Sequence, residues 1–151
     1  MSNFEMDIEP LLKKFESLNS NERIKAQKTA SGKALKVIKD SVLQTMQAQG
    51  IPMDKPNKLY PDLTPRGGVR MNIYKDGTGG SVNVMSNYIL IFLNQGTNNR
   101  SYTTKNGNQH NTGSIKSMNF MGQGFKAAES NAINILNQEM DKAINDLWNK
   151  R

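Results

Sequence analysis

Few side chains in this sequence could do covalent or acid–base chemistry. There is one histidine, His110, and no cysteine. That removes thiolate nucleophiles, disulfides and any metal site built on sulfur or on several imidazoles of one chain. His110 stands among Asn and Gln in a long polar tract. A solvated side chain is expected there, not a general base held within reach of a substrate proton. No HExxH motif, nucleophile elbow or paired-carboxylate constellation is present. Asp54, Asp62 and Asp76 fall in Pro- and Gly-rich segments, where Asp is a turn former. Arg66 and Arg70 flank Gly67 and Gly68 and could hold a phosphate. The favoured role for Arg70 is pairing across a hairpin or at an interface. The glycine-rich run at residues 76–80 lacks the Lys-Ser/Thr pair and the following helix of a phosphate loop. No catalytic, cofactor-binding or metal-binding residue is therefore expected, and the chain reads as a non-enzyme.

Charge points to partners. Lys and Arg number 20 against 13 acids, a net charge of +7, which favours phosphate or acidic protein surfaces. Lys25, Lys28, Lys36 and Lys39 share one side of a predicted helix and could face passing DNA without reading its sequence. No arginine or aromatic residue is interleaved with them, so a solvated helix face is the leading interpretation. The N-terminus is polar and acidic, unlike a secretory leader. The longest apolar run is too short to cross a bilayer. A soluble chain with no membrane partner is the expectation.

The 151 residues suit a single domain with one core. Ile8, Leu11, Leu12, Phe15 and Leu18 recur at helical spacing over residues 7–18, with Pro10 in the first turn. Asn19 with Glu22 has the form of a capping box. The next helix is predicted over residues 21–49, with Ile24, Ser31, Leu35, Ile38, Val42 and Met46 on its inner face and Gly50 at its end. The connector at residues 51–68 carries four prolines and is predicted to be extended surface chain. Residues 69–74 and 81–85 alternate in polarity around the turn at 76–80 and read as a β-hairpin. The last helix is predicted over residues 119–148. Its stripe is Phe125, Ala128, Ala132, Leu136, Met140, Ala143 and Leu147, widened by Ile133, Ile144 and Trp148. A weak first turn is expected at Gly122 and Gly124. Packing within the domain is favoured over a coiled-coil dimer. The expected class is α+β: an antiparallel sheet of about three to four strands against a long N-terminal and a long C-terminal helix.

Residues 88–97 organise the rest. Six apolar residues from Tyr88 to Leu93 fit either a strand covered on both faces or a two-turn helix. Asn87 as N-cap and Gly96 just past the end favour the helix. Tyr88, Ile91, Phe92 and Gln95 would then share a face, and the element is expected to be core in either form. A polar tract follows at once. Within it, residues 101–105 and 112–116 could pair around Asn106-Gly107 as a protruding β-arm, with Ile115 its one aliphatic anchor. The alternative is a mobile loop.

Three patches resemble the small tail-completion and head–tail joining proteins of long-tailed bacteriophages, including the related tail-terminator fold. Leu11-Leu12-Lys13-Lys14-Phe15 is similar to that family's opening amphipathic helix. Gly67-Gly68-Val69-Arg70-Met71-Asn72-Ile73 is similar to its entry into the first strand. Tyr88 with Phe92-Leu93-Asn94-Gln95-Gly96-Thr97 is similar to its segment Tyr…Phe-Leu-Glu-Phe-Gly-Thr. Phe120-Met121 matches the position before the last helix loosely. Asn94 stands where that family usually has Glu, and Gln95 where it has an aromatic residue. The Pro-Ala pair before the last helix is absent, and the connector at 51–66 is longer than usual. The resemblance implies a structural protein of a phage or prophage virion, present in host cytoplasm during assembly. It implies a homo-oligomeric ring, typically hexameric, that meets tail-tube, tail-terminator or connector proteins, with non-specific contact to DNA in transit. Asn94, Gln95, Thr97, Arg100, Tyr102, Lys105 and Ile115 are the expected oligomer interface, with Gly96 as a structural turn. A small basic nucleic-acid-binding domain is the alternative.

Overall fold

The structure is a computed structural model that describes residues 9–56 and 64–150, with side chains from residue 13 onward. It is α+β. In order, the elements are α1 (Glu9–Ser17), α2 (Ser20–Ala48), α3 (Pro65–Gly68), β1 (Arg70–Ile73), β2 (Gly80–Asn83), α4 (Tyr88–Gln95), β3 (Arg100–Thr103), β4 (Gln109–Gly113) and α5 (Phe120–Trp148). The strands form two separate two-stranded sheets, β1–β2 and β3–β4. A single sheet of three to four strands is not formed among the described residues. Two short hairpins, each closed by its own tight turn, take its place.

Local signals explain the helix ends. Asn19 and Glu22 make the reciprocal capping box: the Asn19 N–H donates to Glu22 Oε2 and the Glu22 N–H to Asn19 Oδ1, both at 3.0 Å. At the other end of α2, Gly50 takes φ 81°. The Gly50 N–H donates to the Gln47 carbonyl and the Ile51 N–H to the Met46 carbonyl. This is the Schellman pattern, and it folds Ile51 back onto Met46 in the same core cluster.

The chain divides into two compact units, and α2, α5 and the first hairpin contribute to both. The first unit holds α1, α2 up to Val37, residues Met71–Ser81 and α5 from Glu129. Its buried side chains are mostly small: Ala26, Ala30, Ala34 and Ala132, with Leu18 and Ile144. Phe15, Met140, Ala143 and Leu147 pack around Leu18, Ala26 and Ile144. Lys14 Nζ reaches Asn145 Oδ1 at 2.8 Å, tying α1 to α5. The alanines at 26, 30 and 34 form an i, i+4 row, so the inner face in this half of α2 is alanine. Ile24 and Leu35, expected there, are only half-buried. Ile8, Leu11 and Leu12, expected on the stripe of α1, lie outside the described side chains.

The second unit comprises α2 from Ile38, the connector to Arg70, and Val82–Ala128. Val42, Met46, Ile51, Met53, Val69, Val84, Leu90 and Phe120 are buried together. Ile51 and Met53 overturn the expectation of a connector lying wholly on the surface: both apolar side chains enter the core. The connector also turns helical for four residues at Pro65–Gly68. Proline tolerates N1, and the Thr64 hydroxyl caps the turn by accepting from Gly67 N–H. Gly124 marks a close approach to α2. A side chain there would fall 2.6 Å from Val42 Cα, and Ser41 Oγ donates to the Gly124 carbonyl at 2.8 Å. Phe120 is fully buried, whereas Phe125, expected on the stripe, is 50 % exposed. Ile133 and Trp148 on the same helix are also exposed.

Candidate oligomer interface

The site lies in the second unit and is built outward from α4. Asn87 is buried, and its Oδ1 accepts from the Ile89 and Leu90 N–H groups at 3.2 and 3.3 Å. It satisfies amides that the first turn of a helix leaves open. Leu90 is the buried residue of α4, with Ile91 and Leu93 packed against the core. The opposite face is solvent-exposed. Tyr88 and Phe92 meet edge to face at 5.9 Å, Gln95 lies one turn on, and Met85 precedes them. The helix option is thus the observed one, but Tyr88 and Phe92 are not core. Eight residues can bury only one stripe, and the aromatic pair is on the other.

Gly96 ends α4 at φ 77°, ψ 179°, with its N–H donating to the Phe92 carbonyl. This backbone region is open essentially to glycine alone. A side chain would also stand 2.8 Å from the Ile115 carbonyl oxygen and the Ser117 nitrogen. The role of Gly96 as structural turn follows directly.

The returning chain is sewn onto this corner. The last turn of a helix leaves its carbonyls without intrahelical partners. The Met118 N–H donates to the Leu93 carbonyl, and the Asn119 N–H and Ser117 Oγ donate to the Asn94 carbonyl. Thr97 N–H donates to the Ile115 carbonyl, and the Ile115 N–H donates to Thr97 Oγ1, both at 2.9 Å. Asn94 Oδ1 accepts from the Met121 N–H at 2.9 Å, in the first turn of α5. The Asn94 side-chain oxygen therefore serves an intrachain cap. An amide is apt where a helix needs an acceptor at its first turn.

From this base β3 and β4 project as a hairpin. All of residues 98–112 are exposed except Thr104, which is half-buried. Ser101 pairs with Asn111, Tyr102 with His110 and Thr103 with Gln109, and the register shifts next to Arg100. The turn is closed by Thr104 and Asn108, with Gly107 at φ 80°. The arm form is the observed one, with β4 three residues earlier than the predicted second strand. Tyr102 and His110 stack at 5.5 Å. Gln95, Gly96, Thr97 and Ile115 meet around an open polar depression of about 350 Å³ at the arm's root. Arg100 and Tyr102 lie on the arm, and Lys105 is at its tip.

The other sequence candidates disperse. Arg66 holds Asp54 through Nε at 2.8 Å and Nη2 at 3.4 Å. That hydrogen bond keeps the exposed Asp54 carboxyl below its usual range and raises Arg66. Arg66 is thus engaged by a carboxylate. The Asp76 carboxyl is lowered chiefly by the Thr78 N–H, then by the Thr78 hydroxyl, with Lys28 a minor contributor. Asp76 serves its turn as expected, through Thr78; Asp54 instead pairs with Arg66 twelve positions on; Asp62 lies outside the described residues. Lys25 instead lines a groove of about 230 Å³ between α2 and α5 with Lys33, Lys142 and Lys150, crossed by the Lys33–Glu139 ion pair. Lys36 is exposed and Lys39 half-buried.

Sequence reasoning missed Ser117, Met118 and Asn119 as the clamp on α4, and Asn94 as a cap for a helix beginning 26 residues later. A helix ending on a glycine does announce free carbonyls, but not which segment returns to them. No group of three or more His, Cys, Asp or Glu residues that could hold a metal ion occurs among the described residues. No described helix is long and apolar enough to cross a membrane. Comparison with protein-family models, with curated proteins and with solved structures finds no match for this chain.

Proposed function

We propose that this chain is a structural subunit of a phage or prophage virion, forming a ring at the head-proximal end of the tail and helping to join tail to head. The observation that carries the reading is the β3–β4 arm. Its two strands pair only with each other among the described residues, so both outer edges keep backbone donors and acceptors without a strand partner. Unpaired edges are templates for strand addition. An arm docking on the next copy's hairpin would complete the three-to-four-stranded sheet that the described residues of one chain do not form. Such contacts are heterologous and close into a ring when the rotation per subunit permits. The sequence resemblance supplies the head–tail setting. Tail-tube, tail-terminator or connector proteins would be the neighbours, and the reading is structural rather than enzymatic.

The exposed Tyr88, Phe92 and Met85 side chains support the same reading. Large apolar groups on a helix beside an arm are what a neighbouring subunit would cover. The test is mass in solution with negative-stain imaging of the full chain across the micromolar to sub-millimolar range. Rings are expected. A variant with residues 101–111 replaced by a short Gly-Ser turn should keep its helical circular dichroism but stay monomeric. A parent chain that is monomeric throughout, or a shortened variant that assembles equally well, would overturn the proposal.

A further inference from the structure

We infer that the β3–β4 ribbon is a DNA-contacting arm shaped to lie in the major groove of a duplex. Residues 77–128 contain no Asp or Glu, while carrying Arg100, Lys105, Lys116 and Lys126. The exposed ribbon is thus free of the charge that phosphates repel. Net charge alone would not distinguish this surface, since the first unit also carries lysines; there, however, Glu139 and Asp146 are interspersed among them. Geometry narrows the partner. B-DNA's major groove, about 12 Å wide and 8.5 Å deep, admits a two-stranded ribbon. Strands of four and five residues extend roughly 14–17 Å, at about 3.4 Å per residue.

The register assigns the faces. Ser101, Thr103, Gln109 and Asn111 share one face, as the pairs Ser101–Asn111 and Thr103–Gln109; the Tyr102–His110 stack occupies the other. The first face offers amides and hydroxyls, which both donate and accept and so match base edges and sugar–phosphate oxygens. Asn111 Oδ1 is held by the Gly113 N–H, leaving the exposed Gln109 amide to offer a donor and an acceptor together. Arg100 at the root and Lys105 in the tip turn place one cation at each end, where the phosphate strands bordering the groove would pass. Major-groove base edges offer donors beside acceptors within reach of the bordering phosphates, which is the combination that amides and hydroxyls between two cations match. This inference does not rest on ring assembly: one copy carries the whole surface, and strand addition would take up the ribbon's edges whereas the duplex meets the face of Ser101, Thr103, Gln109 and Asn111.

The test is fluorescence anisotropy of the full-length protein with a labelled duplex of mixed sequence and, separately, one of its single strands, in a salt series. The parent should bind the duplex more tightly than the single strand. Arg100→Gln with Lys105→Gln should weaken duplex binding about tenfold at low salt and reduce the slope of log K against log salt by about 1.8, the value for two phosphate contacts. Lys28→Gln with Lys39→Gln should leave both unchanged. Circular dichroism of each variant verifies the fold, and Lys105→Gln alone, at the exposed tip, should give about half the slope change. Absence of duplex binding at low salt, equal affinity for the single strand, or loss through the α2 variant rather than the ribbon variant would each overturn the inference. Ring formation is read separately by mass: its failure would overturn the proposed assembly, while the duplex-binding outcomes decide this inference.

Discussion

Gly96 occupies a backbone conformation that non-glycine residues avoid, and its missing side chain is where Ile115 and Ser117 pass. Both effects oppose Gly96→Ala, so the variant should lose about 2–3 kcal/mol, read as a lower urea midpoint at unchanged slope. An unaltered midpoint would mean that the corner relaxes freely. Asp76 gives a pH-dependent counterpart. Its folded pKa is depressed by the Thr78 N–H and hydroxyl, so its contribution is present above the unfolded value of about 3.9. It is lost as pH falls through the folded value. Asp76→Asn should therefore lower stability at neutral pH and flatten the acid limb of the stability–pH curve below about pH 4, where the parent loses the same contribution; a limb identical to the parent's would remove Asp76 as its source. At this scale the sequence was legible wherever a residue acts on near neighbours. Asn19, Glu22, Asn87, Gly50 and Gly96 do what their types and spacing imply. Asn94 and Arg66 do not, because their partners lie 27 and 12 positions away and no local pattern encodes that distance.

Among the elements, α4 most clearly joins sequence to site. Its apolar run says that it is buried, its caps say that it is a helix, and the burial of Leu90 rather than Phe92 says which face turns inward. Periodicity alone could not choose the face, since six consecutive apolar residues are apolar all round. The cap is testable. Asn87→Ala would leave the Ile89 and Leu90 amides without their acceptor in the interior, at a cost of about 1–2 kcal/mol. Asn87→Ser, which keeps an acceptor, should recover part of it. Equal losses for both variants in thermal melts would show that packing of Asn87 near Gly68, not capping, is what matters. Removing the core anchor that opens α5 should cost more. Phe120 is fully buried, and Phe120→Ala should cost about 3–5 kcal/mol. The predicted stripes of α2 and α5 were correct at Val42, Met46, Ala128 and Ala132. They failed at Ala26, Ala30 and Ala34 on α2 and at Gly124 on α5, where small residues make the contact. Hydropathy weights Ile24, Leu35 and Phe125 above Ala30, Ala34 and Gly124, yet close backbone approach favours the smaller residues.

Across the whole molecule, the two units differ in what holds each together. The second unit buries Phe120, Met46, Leu90, Val42, Val69, Ile51, Met53 and Val84. Full burial of side chains of this size contributes about 1.5–3 kcal/mol each. Among the described residues, the first unit buries four alanines with only Leu18 and Ile144 as larger groups, and α1 is joined to α5 by one Lys14–Asn145 hydrogen bond and a modest apolar cluster. Local opening draws on such differences, because regions with little buried apolar surface separate at lower free energy than the core. Neither the division into units nor the alanine-rich character of one of them could be read from composition, which averages over both. Native-state hydrogen exchange should therefore resolve two classes of slow amide. Those of α1 and of α5 from Met140 onward should exchange through a sub-global opening with a weak denaturant dependence. Those of α4 and of α2 around Val42 and Met46 should exchange only through global unfolding, with the full dependence. Merging of the two classes at low denaturant would show that the alanine-lined unit draws its stability from the same cooperative transition as the larger core.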